Sequence, residues 1–167
     1  DFDNNHGYAN VYQRTGTSWA QKGSTVHGQG TGATLTFQHF GQSVELSDDG
    51  LRMAAAPWCP PRIPATSPNA GGLEVFDWDG SNWVRKANIV HQFVDQGWAN
   101  CFDSHTDEAI AHTGKVAMSA NGNIVAWGNP AWQPAAPYGM TPEGSEGAVR
   151  VYQIASDGTY ALMGSEI

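Results

Sequence analysis

The chain is short of the side chains that usually build a core. Leu, Ile, Val and Phe together number 28 of 167 residues, and the formal net charge is −8. By those two figures alone it would rank with disordered chains. Basic residues are also few: Lys and Arg total 8 against 16 Asp and Glu. That balance excludes an extended phosphate-binding surface, so nucleic acid is not expected as a partner. No apolar run is long enough for a membrane-spanning helix, and no direct membrane insertion is expected. Residues 1–13 (DFDNNHGYANVYQ) carry neither a basic nor an apolar leader segment, so no signal peptide is visible there. There is no CxxC, no zinc-type spacing and no N-x-[ST] acceptor. The motifs G-x-S-x-G, H-E-x-x-H and the P-loop are missing too, so nothing marks an enzyme or a cofactor site.

Aromatic residues make up part of the deficit. The seven Trp and five Tyr can build a core where aliphatic residues are scarce. Twenty Gly and nine Pro fit many tight turns and exclude long helices.

The sequence repeats itself. Residues 11–27 (VYQRTGTSWAQKGSTVH) align without gaps on residues 75–91 (VFDWDGSNWVRKANIVH). Val11, Gly16, Trp19, Lys22, Val26 and His27 meet Val75, Gly80, Trp83, Lys86, Val90 and His91. A third copy starts at Val151, with a longer turn that brings Tyr160 near the Trp position. A second unit alternates with the first. Residues 40–57 (FGQSVELSDDGLRMAAAP) align on residues 112–129 (HTGKVAMSANGNIVAWGN), with Val44, Ser47, Gly50 and Ala54 meeting Val116, Ser119, Gly122 and Ala126. Each unit reads as a β-hairpin. Ser47-Asp48-Asp49-Gly50 and Ala120-Asn121-Gly122 supply the turns of one kind, and Thr15-Gly16 and Asp79-Gly80 those of the other. Two hairpins make a four-stranded meander. Leu73 and Val75 alternate with Phe76 and Trp78, so both faces of that sheet are apolar, as in a sheet packed between two neighbours. Trp19 and Trp83, at matching repeat positions, are both expected in the core.

These residues resemble a known family. Phe40-Gly41, Ser43-Val44, Ser47-Asp48-Asp49-Gly50, Ala55-Ala56-Pro57, Gly72, Val75-Phe76 and Trp83 are similar in order to the FG-GAP-type repeat, the blade repeat of integrin-α-like β-propellers. The second copy departs from it, with His112-Thr113 and Trp127-Gly128-Asn129 at the corresponding places. Gly71-Gly72 ahead of Trp83 also fits a kelch-type repeat, ranked second because the other copies lack the double glycine. Many integrin-type repeats hold calcium in an acidic loop. Here the matching loops have shrunk to four residues, too short to wrap a cation, and no metal or cofactor is expected. The resemblance implies an all-β chain: an incomplete β-propeller of about two and a half four-stranded antiparallel blades. Residues 8–26 would form the half blade, and residues 40–90 and 113–165 the complete ones. The single repeat array of residues 1–167 would then belong to a larger propeller or assembly.

Meander topology puts the long connections, residues 27–39, 57–71, 91–112 and 129–146, on one face. His27, His39, His91, His105 and His112 fall there, with Trp58, Trp98, Trp132, Cys59 and Cys101. The three Trp are candidates for anchoring a partner or for pinning the loops. Cys59 and Cys101 read either as two thiols or as one bridge between adjoining loops. A bridge would imply an oxidising compartment. Asp103, His105, Asp107, Glu108 and His112 match no established metal spacing and read as a polar loop. Asp77 and Asp79 read as a hairpin turn, and His27 as a maker of a structural hydrogen bond.

The expected function is a non-enzymatic protein-interaction or structural module of a secreted, cell-surface or organelle-lumen protein, binding through its long-loop face. Its partners would be other protein chains or the remaining blades. The alternatives are a glycan-binding module or propeller enzyme using the loop Trp and His, and an assembly subunit that completes a neighbour's sheet.

Overall fold

The computed structural model describes residues 7–28, 40–57, 72–89, 115–129 and 148–165. Trp58, Cys59, Trp98, Cys101 and Trp132 lie outside them. Among the described residues every regular element is a strand: β1 (Tyr12–Thr15), β2 (Ser18–Gln21), β3 (Ser43–Leu46), β4 (Arg52–Ala56), β5 (Leu73–Trp78), β6 (Trp83–Ile89), β7 (Lys115–Met118), β8 (Ile124–Asn129), β9 (Ala148–Ile154) and β10 (Tyr160–Leu162). They form three open antiparallel sheets. Sheet I is β1-β2, sheet II is β3-β4-β5-β6 and sheet III is β7-β8-β9-β10, each in chain order. The all-β architecture expected from the repeats is present.

The turns follow from a few side chains. In the β3–β4 turn Gly50 N donates to Ser47 O at 2.9 Å, and Gly50 has φ of 63°. Asp49 Oδ1 accepts from Ser47 Oγ at 2.6 Å and from Leu51 N at 2.9 Å. The β7–β8 turn repeats this geometry with an amide. Gly122 N donates to Ser119 O at 2.8 Å, and Asn121 Oδ1 accepts from Asn123 N at 3.1 Å. Such local hydrogen bonds are why Ser, Asp, Asn and Gly end strands.

Sheet II is covered on both faces. Side chains alternate along a strand, so Ala54, Ala56, Leu73, Val75, Ala87 and Ile89 share the face towards sheet III. They pack on Val116, Val125, Trp127, Tyr152 and Ile154. Met53, Ala55, Phe76 and Trp83 share the opposite face and pack on Ala9, Val11, Val26 and Phe40. Strand β4 runs through the middle of this double burial, and Ala54, Ala55 and Ala56 are fully buried. Three consecutive small residues let sheets approach on both sides without a clash. Between sheets II and III the backbone comes closest where β7 meets β3 and β4. Val116 N there donates to Ser43 Oγ at 3.0 Å.

Trp19 does not enter the core. It is 67% exposed, whereas Trp83 is 7% exposed. The reason is packing direction. Trp83 lies on the face of sheet II that meets sheet I, and no described sheet lies on the matching face of sheet I.

Strand β6 carries a bulge. Val75 pairs with Ala87 and Phe76 with Arg85, so Lys86 has no residue opposite it. The backbone at Gly158, with φ of 91°, sits so close to Lys86 O that no Cβ would fit between them. The bulge thereby seats the β9–β10 turn of sheet III against the outer strand of sheet II.

Candidate functional site

Three cations, Lys22, Arg52 and Arg85, lie at the seams between sheets. At the seam of sheets I and II, Lys22 Nζ donates to Gly50 O at 2.7 Å and sits 5.0 Å from the Trp78 ring centroid and 5.5 Å from that of Trp83. Trp83 Nε1 donates to Lys22 O at 2.8 Å. An ammonium over two indoles is stabilised by their negative faces. Alongside, the guanidinium of Arg85 pairs with the carboxylate of buried Glu74 and lies 5.4 Å from the Phe76 ring. Its Nη2 also donates to His27 O at 3.2 Å.

At the seam of sheets II and III, Arg52 grips Asp77 with two bonds, Nε to Oδ1 at 2.6 Å and Nη2 to Oδ2 at 2.9 Å. Its Nη1 reaches Gly122 O at 3.3 Å and Asn123 Oδ1 at 3.2 Å in the β7–β8 turn. The bond to Asp77 raises the affinity of the guanidinium for its proton. Lys22 and Arg52 thereby reach turn carbonyls, Gly50 O and Gly122 O, across a seam, and Arg85 reaches His27 O.

These contacts refine the expectations for three residues. Asp77 and Asp79 do not act as one turn. Asp77 belongs to β5 and holds Arg52, and Asp79 alone caps the turn through Ser81 N at 2.8 Å and Asn82 N at 2.7 Å. His27 does join a seam, but through its backbone carbonyl. Its ring lies against Tyr8, with centroids 6.4 Å apart.

Three aspartates of the described residues serve turns. Hydrogen bonds from Ser47, Ser81 and Thr159 respectively hold the Asp49, Asp79 and Asp157 carboxyls below the usual aspartate range. A general acid at neutral pH needs the opposite shift. Among the described residues no group of three or more His, Cys, Asp or Glu is placed to hold a metal ion. The loop candidates Trp58, Trp98, Trp132, Cys59 and Cys101, with His39, His91, His105 and His112, lie outside the described residues.

What the described residues do offer is two open sheet faces. Cross-strand pairing of Tyr12 with Gln21 and of Arg14 with Trp19 puts these four side chains on one face of sheet I. Tyr12 and Trp19 are both largely exposed there. On sheet III, Ala126 pairs with Val151 and Gly128 with Val149, on the face turned away from sheet II. Ile124 and Val149 on that face are each more than a third exposed. Reading sequence alone missed both faces, although the signal was in the alignment. Trp83 packs on residues that flank the preceding hairpin, and among the described residues none stands in that place for Trp19. The chain matches no protein-family model and no curated protein.

Proposed function

We propose that this chain is a non-enzymatic interaction or structural module, built as an incomplete β-propeller of the FG-GAP type. Sheet I is the outer half of one blade, and sheets II and III are complete blades. One observation carries the reading. Sheet II is covered on one face by sheet III and on the other by Ala9, Val11 and Val26, which flank the β1–β2 hairpin, and by Phe40, and strands of sheets II and III meet where β7 lies against β3 and β4. A four-stranded sheet packed through both faces is what a propeller blade between two neighbours requires. The use of Lys22, Arg52, Arg85, Asp49, Asp77 and Asp79 in seams and turns supports a structural rather than a catalytic part for the sheets.

In this reading the chain works in a secreted, cell-surface or lumenal setting. It binds protein through the face that carries residues 27–39, 57–71, 91–112 and 129–146. Pulsed electron resonance between paired spin labels tests the architecture. Labels at Val84 and Ala161, on outer strands, should lie farther apart than labels at Glu45 and Ala117, on inner strands. Equal spacings would replace the fan with parallel layers. A glycan array tests the function: saccharide binding that disappears in Trp58→Ala or Trp132→Ala would overturn a protein-binding role for the loop face.

A further inference from the structure

The two open faces are repeat counterparts of faces that are buried inside the same chain. In the alignment Tyr12 and Trp19 of sheet I stand where Phe76 and Trp83 stand in sheet II. Phe76 and Trp83 are buried against Ala9, Val11 and Val26, where the paired chain continues beyond the β1–β2 hairpin on the side opposite Tyr12. On sheet III, Ala126, Gly128, Val149 and Val151 stand where Ala54, Ala56, Leu73 and Val75 stand in sheet II, and those four are fully buried against the front of sheet III. At each internal seam an aromatic front meets a small, aliphatic back. Among the described residues no sheet lies across the aromatic front of sheet I, and the aliphatic back of sheet III is left partly exposed.

We propose that these two faces bind each other between copies of this chain, front of sheet I to back of sheet III. The proposal deepens the module reading by naming the partner as a second copy, and it rests on that reading for the stacking rule. Three details beyond apolar exposure support it. Lys22 N donates to Val11 O, and Met163 N donates to Val151 O, both at 2.8 Å, so Met163 occupies in sheet III the place that Lys22 occupies in sheet I. Lys22 O is the acceptor for Trp83 Nε1. Met163 O is therefore in place to accept Trp19 Nε1 of another copy. Second, Arg52 reaches forward to the β7–β8 turn, and its counterpart in sheet III is Ile124. Among the described residues sheet I has the β1–β2 pair and no inner turn for an arginine to reach, so an apolar residue at 124 suits sheet I as the neighbour. Third, although the chain carries a net charge of −8, the open back has no carboxylate among the residues that register places there. A front-to-back contact is heterologous, and it leaves a free front and a free back on every dimer for further growth.

The full 167-residue chain, Trp19→Glu, Val149→Glu and an equimolar mixture of the two variants are compared by sedimentation velocity and native mass spectrometry over a concentration series. Circular dichroism confirms that each variant keeps its strand signal. The unmodified chain should grow in mass with concentration. Each variant alone should associate at least roughly tenfold more weakly, and the mixture should stop at a one-to-one dimer, because each variant retains the face that the other has lost. A chain that stays monomeric at every concentration overturns the proposal. So does self-association that both variants retain, or a mixture that fails to pair. The spin-label distances are intramolecular and read at low concentration, so they fail or hold independently of this result.

Discussion

Trp19 and Trp83 share a repeat position, yet the structure assigns them very different weights in stability. Trp83 is 7% exposed and Trp19 is 67% exposed. An aromatic side chain offers up to about 250 Å² for burial, so the difference in exposure amounts to about 150 Å² of surface. At about 25 cal/mol per Å² this is ~4 kcal/mol of hydrophobic stabilisation present at Trp83 and not at Trp19. Trp83 also donates from Nε1 to Lys22 O, which adds about 1 kcal/mol. Trp83→Ala should therefore cost about 3–5 kcal/mol, and Trp19→Ala about 1 kcal/mol or less. Urea unfolding followed by circular dichroism measures both, at a concentration low enough that the chain is monomeric. The midpoint should fall steeply for Trp83→Ala and barely move for Trp19→Ala. Equal losses, or a larger loss at Trp19, would refute the packing direction deduced for all three sheets.

Other perturbations test separate parts of the structure. Gly158→Ala brings a Cβ against Lys86 O in a left-handed backbone conformation, whereas Gly16→Ala, with φ of 62°, meets open space. The first should cost at least about 2 kcal/mol and the second about 1 kcal/mol in the same urea assay, and the reverse order would refute the contact at the bulge. The lowered carboxyls of Asp49, Asp79 and Asp157 fix the sign of an acid effect. Their folded forms hold the proton more weakly than the unfolded chain does, so their stabilisation is present above the ordinary aspartate range and lost as pH falls through and below it. Replacing all three with Asn should flatten the fall in unfolding midpoint between neutral pH and pH of about 3, because Asn121 already makes the same kind of turn without a charge. An unchanged slope would refute this. The proposed secreted or lumenal setting would let Cys59 and Cys101 form a bridge, so it predicts one linked peptide pair in a non-reducing digest, and two alkylatable thiols would count against that setting.

The seams show where sequence reasoning stops. The hairpins were legible because their signals are local. Gly50 and Gly122 take left-handed conformations, and Asp49 and Asn121 hydrogen-bond residues close in the chain. The two-sided character of β5 was also legible, since Leu73 and Val75 alternate with Phe76. The partners of Asp77 and Lys22 were not legible. Asp77 sits two residues from a turn, yet its partner Arg52 is 25 positions away. Lys22 stacks on Trp78 and Trp83 of another sheet. Such pairs depend on how sheets lie on one another, and no window of sequence records that.

By itself the sequence determined where strands begin and end and which hairpins are alike, because backbone turns and side-chain alternation are decided within a few residues. Only the tertiary structure decided which copy of a repeated residue is buried. Trp19 and Trp83 occupy the same place in the same hairpin, and Val149 and Leu73 the same place in the same strand. What separates them is whether another sheet lies across the face, since burial is a property of two surfaces in contact and not of either chain segment alone.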